Sequence, residues 1–180
     1  YSKTVLAVTA ALIGGGAAGF LIFEHANPGT LQGLSPGESV LASFFQSVTC
    51  RTAGFNTVDI AALTGPSKML SCILMFIGGS SGSTAGGIKT VTFAMLIFLV
   101  LNSLRGRSEV VLNRRRVNSR TLIKAIAVTG SAVAALAFGI FLISLSDADL
   151  GCGNIIFECV SAMGTVGLST GITPFTGVLS

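Results

Sequence analysis

The sequence has 180 residues, of which 51% are hydrophobic and 10% are charged, and its mean hydropathy is +0.82. Soluble domains carry about 25% charged residues, so this chain has too few charges to cover a surface that faces water, and a soluble globular protein is excluded. The formal net charge of +4 identifies no partner, because the charges are segregated along the chain.

The first predicted element is a transmembrane helix over the uncharged 20-residue run from Thr4 to Phe23. At a rise of about 1.5 Å per residue, that run crosses roughly 30 Å, the thickness of the hydrocarbon core. Glycines at positions 14, 15, 16 and 19 leave a smooth face on which a neighbouring helix can pack. The polar stretch from Glu24 to Gly37 then predicts an exposed loop.

A short helix is predicted after this loop. Ser35, Pro36 and Glu38 have the pattern of a helix start, with serine as the N-cap, proline at the first position and glutamate at the third. The helix is expected from about Glu38 to Thr49, and its 12 residues are too few to span a bilayer. It leads into a polar, irregular segment that ends at Thr57.

The next apolar stretch, Met69 to Leu104, is too long for one straight span. Its 36 residues include one charge, Lys89, and as a continuous helix they would reach about 54 Å. Its centre, Gly78 to Gly87, contains five glycines, and each costs about 1 kcal/mol against alanine in a helix interior. We therefore expect a helix broken by a loop, which must lie in protein or against water because unpaired backbone cannot face lipid.

Seven of the eleven basic residues lie between Arg105 and Lys124. A basic patch could bind nucleic acid, but between two apolar segments of lipid length it predicts a cytoplasmic loop. Another uncharged span, Ala125 to Ser146, follows, and then a second short helix from about Gly153 to Met163. This topology puts both short helices and their loops on the outer side. Five acidic residues fall there and would concentrate cations at a pore mouth: Glu24, Glu38, Asp59, Asp147 and Asp149.

The order of these elements is an internal repeat. An offset of 113 residues pairs Thr52 with Thr165, Gly54 with Gly167 and Thr57 with Thr170, and an offset of 112 pairs Phe45 with Phe157 and Val48 with Val160. The second unit lacks a closing helix, and the chain begins at Tyr1 without an initiator methionine, so we expect a fragment. Its expected parts are a first unit over residues 1–104, a basic cytoplasmic loop over 105–120 and a second unit over 121–180.

Each unit carries a T-x-G triplet directly after its short helix. A desolvated monovalent cation needs oxygens in place of its water, and a ring of extended loops supplies backbone carbonyls for this purpose. The triplet at Thr165 to Gly167 matches the start of the T-V-G-Y-G filter, and the triplet at Thr52 to Gly54 keeps threonine and glycine. One triplet is common by chance, whereas two in the same context favour a cation filter over ordinary external turns.

Three other functions compete with this one. The segment from Gly82 to Thr90 nearly matches a phosphate-binding Walker A loop, but Ile88 intervenes before the lysine and no strand is predicted before it. Gly79 to Gly82 fits the G-x-S-G pattern of an intramembrane serine protease, which needs a base close to its serine. The one histidine, His25, is instead expected near the outer surface. A non-transporting membrane scaffold would not need two T-x-G loops.

Four segments closely resemble the Trk/Ktr/HKT potassium-uptake family, and the bacterial Ktr-type membrane subunit in particular: Phe45 to Thr49, Arg51 to Thr57, Gly78 to Thr90 and Gly164 to Gly171. The resemblance implies an all-α membrane protein with a potassium-channel-like fold, in which four helix–pore loop–helix repeats surround one pore. This chain is similar to the third repeat and most of the fourth. The implied function is potassium uptake across the cell membrane, without enzymatic activity. Cys50 departs from the family, which usually has proline there. No loss of selectivity is expected from this change, but the short helix is expected to end differently.

The resemblance also implies roles for particular residues. The expected filter consists of Thr52, Ala53, Gly54, Phe55, Asn56, Thr165, Val166, Gly167, Leu168 and Ser169, with potassium bound at Thr52, Ala53, Gly54, Thr165, Val166 and Gly167. The broken helix is expected to form a gating loop within the membrane, made of Gly78, Gly79, Ser80, Ser81, Gly82, Ser83, Thr84, Ala85, Gly86 and Gly87, with Lys89 just beyond it. Lys89 either repels cations or only marks the inner half of the membrane.

Partners follow from the same resemblance. Family proteins form homodimers on a cytoplasmic ring that binds nucleotides, so a second copy, that ring and membrane lipid are the expected partners. The loop from Arg105 to Lys124 is a candidate docking surface for the ring, or it serves topology alone. No covalent cofactor and no nucleic-acid partner are expected; potassium is the transported ion, and sodium is a candidate activator.

Overall fold

A computed structural model describes residues 2–80, 85–106, 111–112, 115–116, 119–146 and 150–172. Within these residues six helices run in chain order: α1 (Ser2–Glu24), α2 (Pro36–Thr49), α3 (Gly65–Phe76), α4 (Thr90–Leu104), α5 (Ser119–Ser146) and α6 (Cys152–Met163). Between α4 and α5, strand β1 (Val111–Leu112) pairs antiparallel with β2 (Arg115–Arg116). This two-residue ladder is the only strand pairing in the described part of the chain, and the expected all-helical membrane fold is confirmed.

In the part of the chain that the structure describes, two helices are long and apolar enough to cross a bilayer. They cover Val5–Glu24, with 20 residues, and Arg120–Ser146, with 27 residues. At about 1.5 Å per residue these reach roughly 30 and 40 Å. The outer surface of α5 is lined by exposed apolar side chains, including Phe138, Phe141 and Leu145, as a helix that faces lipid or another membrane helix requires.

The start of α2 follows from local chemistry. The Ser35 hydroxyl accepts from the Glu38 amide at 3.4 Å, and the Glu38 carboxylate accepts from the Ser35 amide at 2.9 Å. This reciprocal pair satisfies two amides that the first turn leaves unbonded. The helix ends at Thr49, where Cys50 is fully buried and donates its amide to Gln46. The predicted capping box and the predicted end are therefore both present.

The long apolar stretch is broken, as predicted, between Phe76 and Thr90. Its first half begins at Gly65, four residues before the predicted start at Met69. Pro66 lies in the first turn of α3, where a residue without an amide hydrogen is tolerated. The apolar run does not reveal this first turn, because the residues before Met69 are glycine, proline, serine and lysine.

Glycine and serine let α1 lie close to its neighbours. Side chains from α2 and α3 occupy the places where a Cβ would stand on Gly16 and Gly19, namely those of Ser47 and Leu70. Ser47 also donates to the Ile13 carbonyl at 2.8 Å. No heavy atom lies within 4 Å of the corresponding positions at Gly14 and Gly15. Of the four glycines predicted to form a packing face, only Gly16 and Gly19 therefore lie against a neighbouring helix in the described residues.

A buried hydrophobic core joins the two units, with Phe20, Met75, Phe157, Val160 and Leu168 among its members.

The loop after α1 differs from the prediction. The sequence predicts Glu24 in an exposed loop on the outer side, as one of the acids at a pore mouth, but its side chain is only 2% exposed. Its carboxylate accepts from Asn27, Thr30 and Thr64, at 2.6 to 2.9 Å. A buried carboxylate is tolerated when its oxygens are hydrogen-bonded in this way. Glu24 therefore ties the end of α1 to the start of α3, and Leu31 in the same loop is also buried.

Of the other acids in that set, Asp59 is exposed and accepts from the Ala61 amide at 2.9 Å. Glu38 is exposed and acts in the capping box described above. Asp147 and Asp149 lie outside the described residues.

Candidate selectivity filter and gate

Two loops leave the carboxyl ends of α2 and α6 with the same unusual backbone. Thr52 and Thr165 have φ of 70° and 52°, and they are the only non-glycine residues with positive φ in the described part of the chain. Two positions later, Gly54 and Gly167 have φ of 74° and 87°. A left-handed threonine costs about 1–3 kcal/mol and persists where the surroundings impose it, often at sites that hold a ligand. The offset of 113 residues found in the sequence thus also relates two similar left-handed bends.

Each bend is held by the helix before it. The amides of Ala53 and Gly54 donate to the Thr49 carbonyl at 3.2 and 3.3 Å. The Val166 amide donates in the same way to the Ser161 carbonyl at 2.9 Å. These bonds use the last carbonyls of each short helix, which have no partner within the helix itself. The backbone of each loop is thus held close to the end of its helix through its amides.

The two loops meet each other. A Cβ built on Gly54 would overlap the Val166 carbonyl oxygen and would stand 3.7 Å from the Gly167 Cα. The Val166 carbonyl is therefore directed at the first loop rather than at its own helix. Glycine is required at position 54 for two reasons, the left-handed φ and the close approach of a neighbouring backbone.

Side chains along the second loop alternate between two environments. Val166 and Leu168 are 4% and 1% exposed and belong to the core, whereas Thr165 and Gly167 are exposed. This loop therefore has one face that packs against the protein and one face that is exposed. The open face carries Thr165 and Gly167, which are the residues that the T-x-G pattern singled out.

The first loop departs from this pattern after its glycine. Phe55 occupies the place that corresponds to Leu168 but is 70% exposed. Its carbonyl accepts from the Thr49 hydroxyl at 2.7 Å, and its amide donates to the same hydroxyl at 2.8 Å. The Phe55 carbonyl is thus directed back at α2. The oxygens of Thr52, Ala53 and Gly54 remain the candidate ion ligands of this loop, while Asn56 is exposed beyond them.

The predicted gating segment forms a loop whose two ends are joined. The Ile88 amide donates to the Phe76 carbonyl at 2.9 Å, and the Thr90 amide donates to the Gly79 carbonyl at 3.2 Å. Gly87, with a φ of 69°, and Gly78 permit this close approach, since a Cβ on either would meet backbone across the loop. The Lys89 ammonium donates to the Ala85 carbonyl, so it stabilises the loop from within. Ser81, Gly82, Ser83 and Thr84 lie outside the described residues.

This loop is bonded to both T-x-G loops. The Arg51 guanidinium donates through Nη2 to the Gly78 carbonyl at 3.2 Å. The Gly86 amide donates to the Thr165 hydroxyl at 2.9 Å, although the two residues are 79 positions apart. A cavity of about 370 Å³ lies beside these contacts, lined by Thr9, Ile13, Val48, Arg51, Thr52, Ala53, Gly79, Ser80 and Ala85. Among the described residues, the structure thus brings both ends of the predicted gating segment next to the two T-x-G loops.

A family model described as "TrkH: Cation transport protein" matches residues 4–180 of the chain. The chain belongs to this family. The resemblance noted in the sequence is therefore confirmed, and the serine-protease alternative is left without support. His25 is exposed at the end of α1, and Ser81, the proposed nucleophile, lies outside the described residues.

Several curated relatives of this TrkH-family chain carry potassium in their names. Ktr system potassium uptake protein B from Bacillus subtilis is 42% identical over 153 residues, which cover 85% of this chain and 34% of that protein. The protein of the same name from Vibrio alginolyticus is 39% identical over 173 residues, covering 96% of this chain and 38% of the relative. Potassium/sodium uptake protein NtpJ from Enterococcus hirae is 36% identical over 177 residues, covering 97% and 39%. The chain therefore spans little more than a third of the length of these relatives.

The TrkH-family fold is also seen in a solved structure. The potassium transporter TrkH from Vibrio parahaemolyticus superposes with a TM-score of 0.60 at 20% identity, over 93% of this chain and 37% of that chain. At this identity the likeness shows the fold alone. It agrees with the helical architecture described above.

The sequence prediction did not select three residues at this site of the TrkH-family chain. Thr49 anchors the first loop, Arg51 contacts the predicted gating loop, and Glu158 on α6 accepts from Ser169 and Thr170 of the second loop. The sequence indicates two of these residues, Arg51 and Glu158, because charged side chains in or next to short membrane helices are costly and are usually functional. Thr49 had no comparable signal.

Proposed function

We propose that this chain forms part of a protein that takes up potassium, and that its T-x-G loops are two of the loops of one selectivity filter. The observation that carries the proposal is the meeting of these loops, in which the Val166 carbonyl lies against Gly54. Loops that bind one ion must lie around a common axis within a few ångströms of each other. Two helix–loop–helix units that sit apart could not do this.

The proposed mechanism uses backbone oxygens in place of water. A potassium ion loses its hydration shell at the outer side and is held by the carbonyls of Thr52, Ala53, Gly54, Thr165, Val166 and Gly167. The left-handed bends set the angle of those carbonyls before an ion arrives, so little reorganisation is needed on binding. Two loops supply part of a ring, and further loops of the complete protein would close it.

The gating loop is proposed to control passage beneath the filter. Its ends are fixed by the bonds at Phe76 and Gly79, and Gly86, near its carboxyl end, donates to the Thr165 hydroxyl. A loop anchored at both ends can move as one unit when the few bonds to the filter loops break. Lys89 contributes by bonding the loop itself, which supports a structural role for this residue.

The orientation of the chain in the membrane is proposed from the distribution of its basic residues, and its partners are proposed from its family. The segment from Arg105 to Lys124 would be cytoplasmic under the positive-inside rule, and the filter loops would face outside. The names of the B. subtilis and V. alginolyticus relatives describe them as components of a Ktr system. We propose a homodimer that rests on a cytoplasmic nucleotide-binding ring, with the basic loop as its contact. Sodium is proposed as an activator, and NtpJ is named for both ions.

The filter assignment is tested by Gly167→Ser in the complete transporter. No heavy atom of the described residues lies within 4 Å of a Cβ built at this position, so the new side chain fits, but it stands on the open face of the loop in a φ of 87° that serine rarely adopts. We expect potassium-over-sodium preference to fall about tenfold, the effect of roughly 1.4 kcal/mol. The measurement is uptake of each ion by cells that lack other potassium transporters.

The matched control for this test is Gly33→Ser, at a glycine that also has open space around it and lies in the loop before α2. This variant should keep the parental ion preference. An unaltered preference in Gly167→Ser, with normal amounts of protein in the membrane, would contradict the filter assignment.

A further inference from the structure

Glu158 on α6 is bonded to the end of the second filter loop. Its Oε1 accepts from the Ser169 hydroxyl at 2.7 Å, from the Thr170 amide at 2.7 Å and from the Thr170 hydroxyl at 3.1 Å. Thr170 is 8% exposed, and Glu158 itself is partly buried. One carboxylate oxygen thus collects three donors from two consecutive loop residues.

These bonds hold the end of the loop that follows the bend at Thr165 to Gly167. The loop leaves α6 at Gly164, and its amide at Val166 is held by Ser161. It returns to α6 at Ser169, which Glu158 holds 11 positions away in the sequence. The carbonyls of Thr165, Val166 and Gly167 therefore lie between two anchors on the same helix. Hydrogen bonds to an ionised acceptor are about twice as strong as neutral ones, so the second anchor is a firm one.

The first unit lacks this second anchor. An offset of 112 residues pairs Glu158 with Gln46 on α2. The Gln46 side chain is 2% exposed, and both of its polar atoms are without a hydrogen-bond partner among the described residues. Thr49 holds the first loop at Phe55 instead. The two loops are thus fixed by different chemistry, and the carboxylate acts on the second loop alone.

We propose that Glu158 is a positioning residue for ion selectivity, because its carboxylate sets the spacing of the carbonyls from Thr165 to Gly167. This inference rests on the proposed function. Glu158 does not touch the ion in this arrangement; it acts through Ser169 and Thr170. Loss of the carboxylate frees the outer end of the loop, and the carbonyls then adapt to a smaller ion such as sodium as readily as to potassium.

The test compares Glu158→Ala and Glu158→Gln with Gln46→Leu in the complete transporter. The alanine variant removes every acceptor, and its preference for potassium over sodium should fall about tenfold, as expected for losing charge-assisted bonds. The glutamine variant keeps the size and one acceptor oxygen but loses the charge, so its preference should fall by a smaller factor. Gln46→Leu changes the equivalent residue of the first unit, which makes no bond to its loop, and should keep the parental preference.

The readout is the ratio of rubidium to sodium uptake, normalised to transporter in the membrane, because a merely structural role would lower both rates together. Parental preference in Glu158→Gln and Glu158→Ala would overturn the inference, and if the alanine variant fails to reach the membrane, the glutamine variant decides. A loss in Gln46→Leu equal to that in Glu158→Ala would also overturn it. Absence of potassium uptake in the parent would contradict the proposed function instead, so the two failures are distinguishable.

Discussion

Gly54→Ala should lose most of its potassium uptake. The residue has a φ of 74°, which costs an L-amino acid about 1–2 kcal/mol. Its methyl group would also overlap the Val166 carbonyl oxygen of the second loop, and that atom is backbone and cannot rotate away. One of the two T-x-G loops must therefore shift, which alters the position of the oxygens proposed to bind the ion. We expect uptake to fall by about tenfold or more, measured as rubidium entry into cells that require potassium.

A control separates the two causes of this loss. Gly106 follows α4, has a φ of 66°, and no heavy atom of the described residues lies within 4 Å of the position of its Cβ. Gly106→Ala carries a similar conformational cost without a steric overlap. This variant should transport at close to the parental rate. Equal losses in both variants would show that backbone strain alone is responsible and would contradict the close contact between the filter loops.

Deletion of Gly79 through Gly86 should raise the maximal rate of uptake several-fold without changing the preference for potassium over sodium. The deletion removes the proposed gate and leaves both T-x-G loops intact. Its ends can be joined, because a Cβ on Gly78 would lie 3.4 Å from the Gly87 Cα, and consecutive Cα atoms are about 3.8 Å apart. Rates equal to those of the parent would contradict the gating role of the loop.

A point substitution tests the same gate if the deletion variant does not fold. The deletion removes Gly79, whose carbonyl accepts from the fully buried Thr90 hydroxyl. A methyl group on Gly86 would stand 2.7 Å from the Gly164 carbonyl oxygen and 2.8 Å from the Thr165 hydroxyl. Gly86→Ala should push the loop away from the second filter loop and raise uptake by less than the deletion. Gly14→Ala, at a position with open space, is its control.

Local patterns in the sequence were sufficient to predict most of the helices. The uncharged run from Thr4 to Phe23 predicts α1 because a run of that length has no favourable place in water. The start of α2 depends on Ser35 and Glu38, which are three residues apart, so their bond can be read from the sequence. The break after Phe76 follows from the cost of five glycines in a helix.

Contacts between distant residues were not accessible in this way. The carboxylate of Glu24 finds its partner Thr64 40 positions later, and this pairing converts an apparently exposed acid into a buried one. The bond between Arg51 and Gly78 joins residues 27 positions apart. Neither pair has a fixed spacing that a pattern could detect, since each depends on how the helices pack.

The sequence by itself determined the membrane environment, the order of long and short helices, and the two T-x-G segments, because hydrophobic length, helix capping and glycine content act over a few neighbouring residues. Only the tertiary structure decided which oxygens and carboxylates meet. It brought Val166 against Gly54 and Gly86 against Thr165, and it bound Glu158 to the far end of its loop. The physical reason is that these contacts depend on the packing of α1, α3 and α6 around a common core, and that packing is a property of the whole chain.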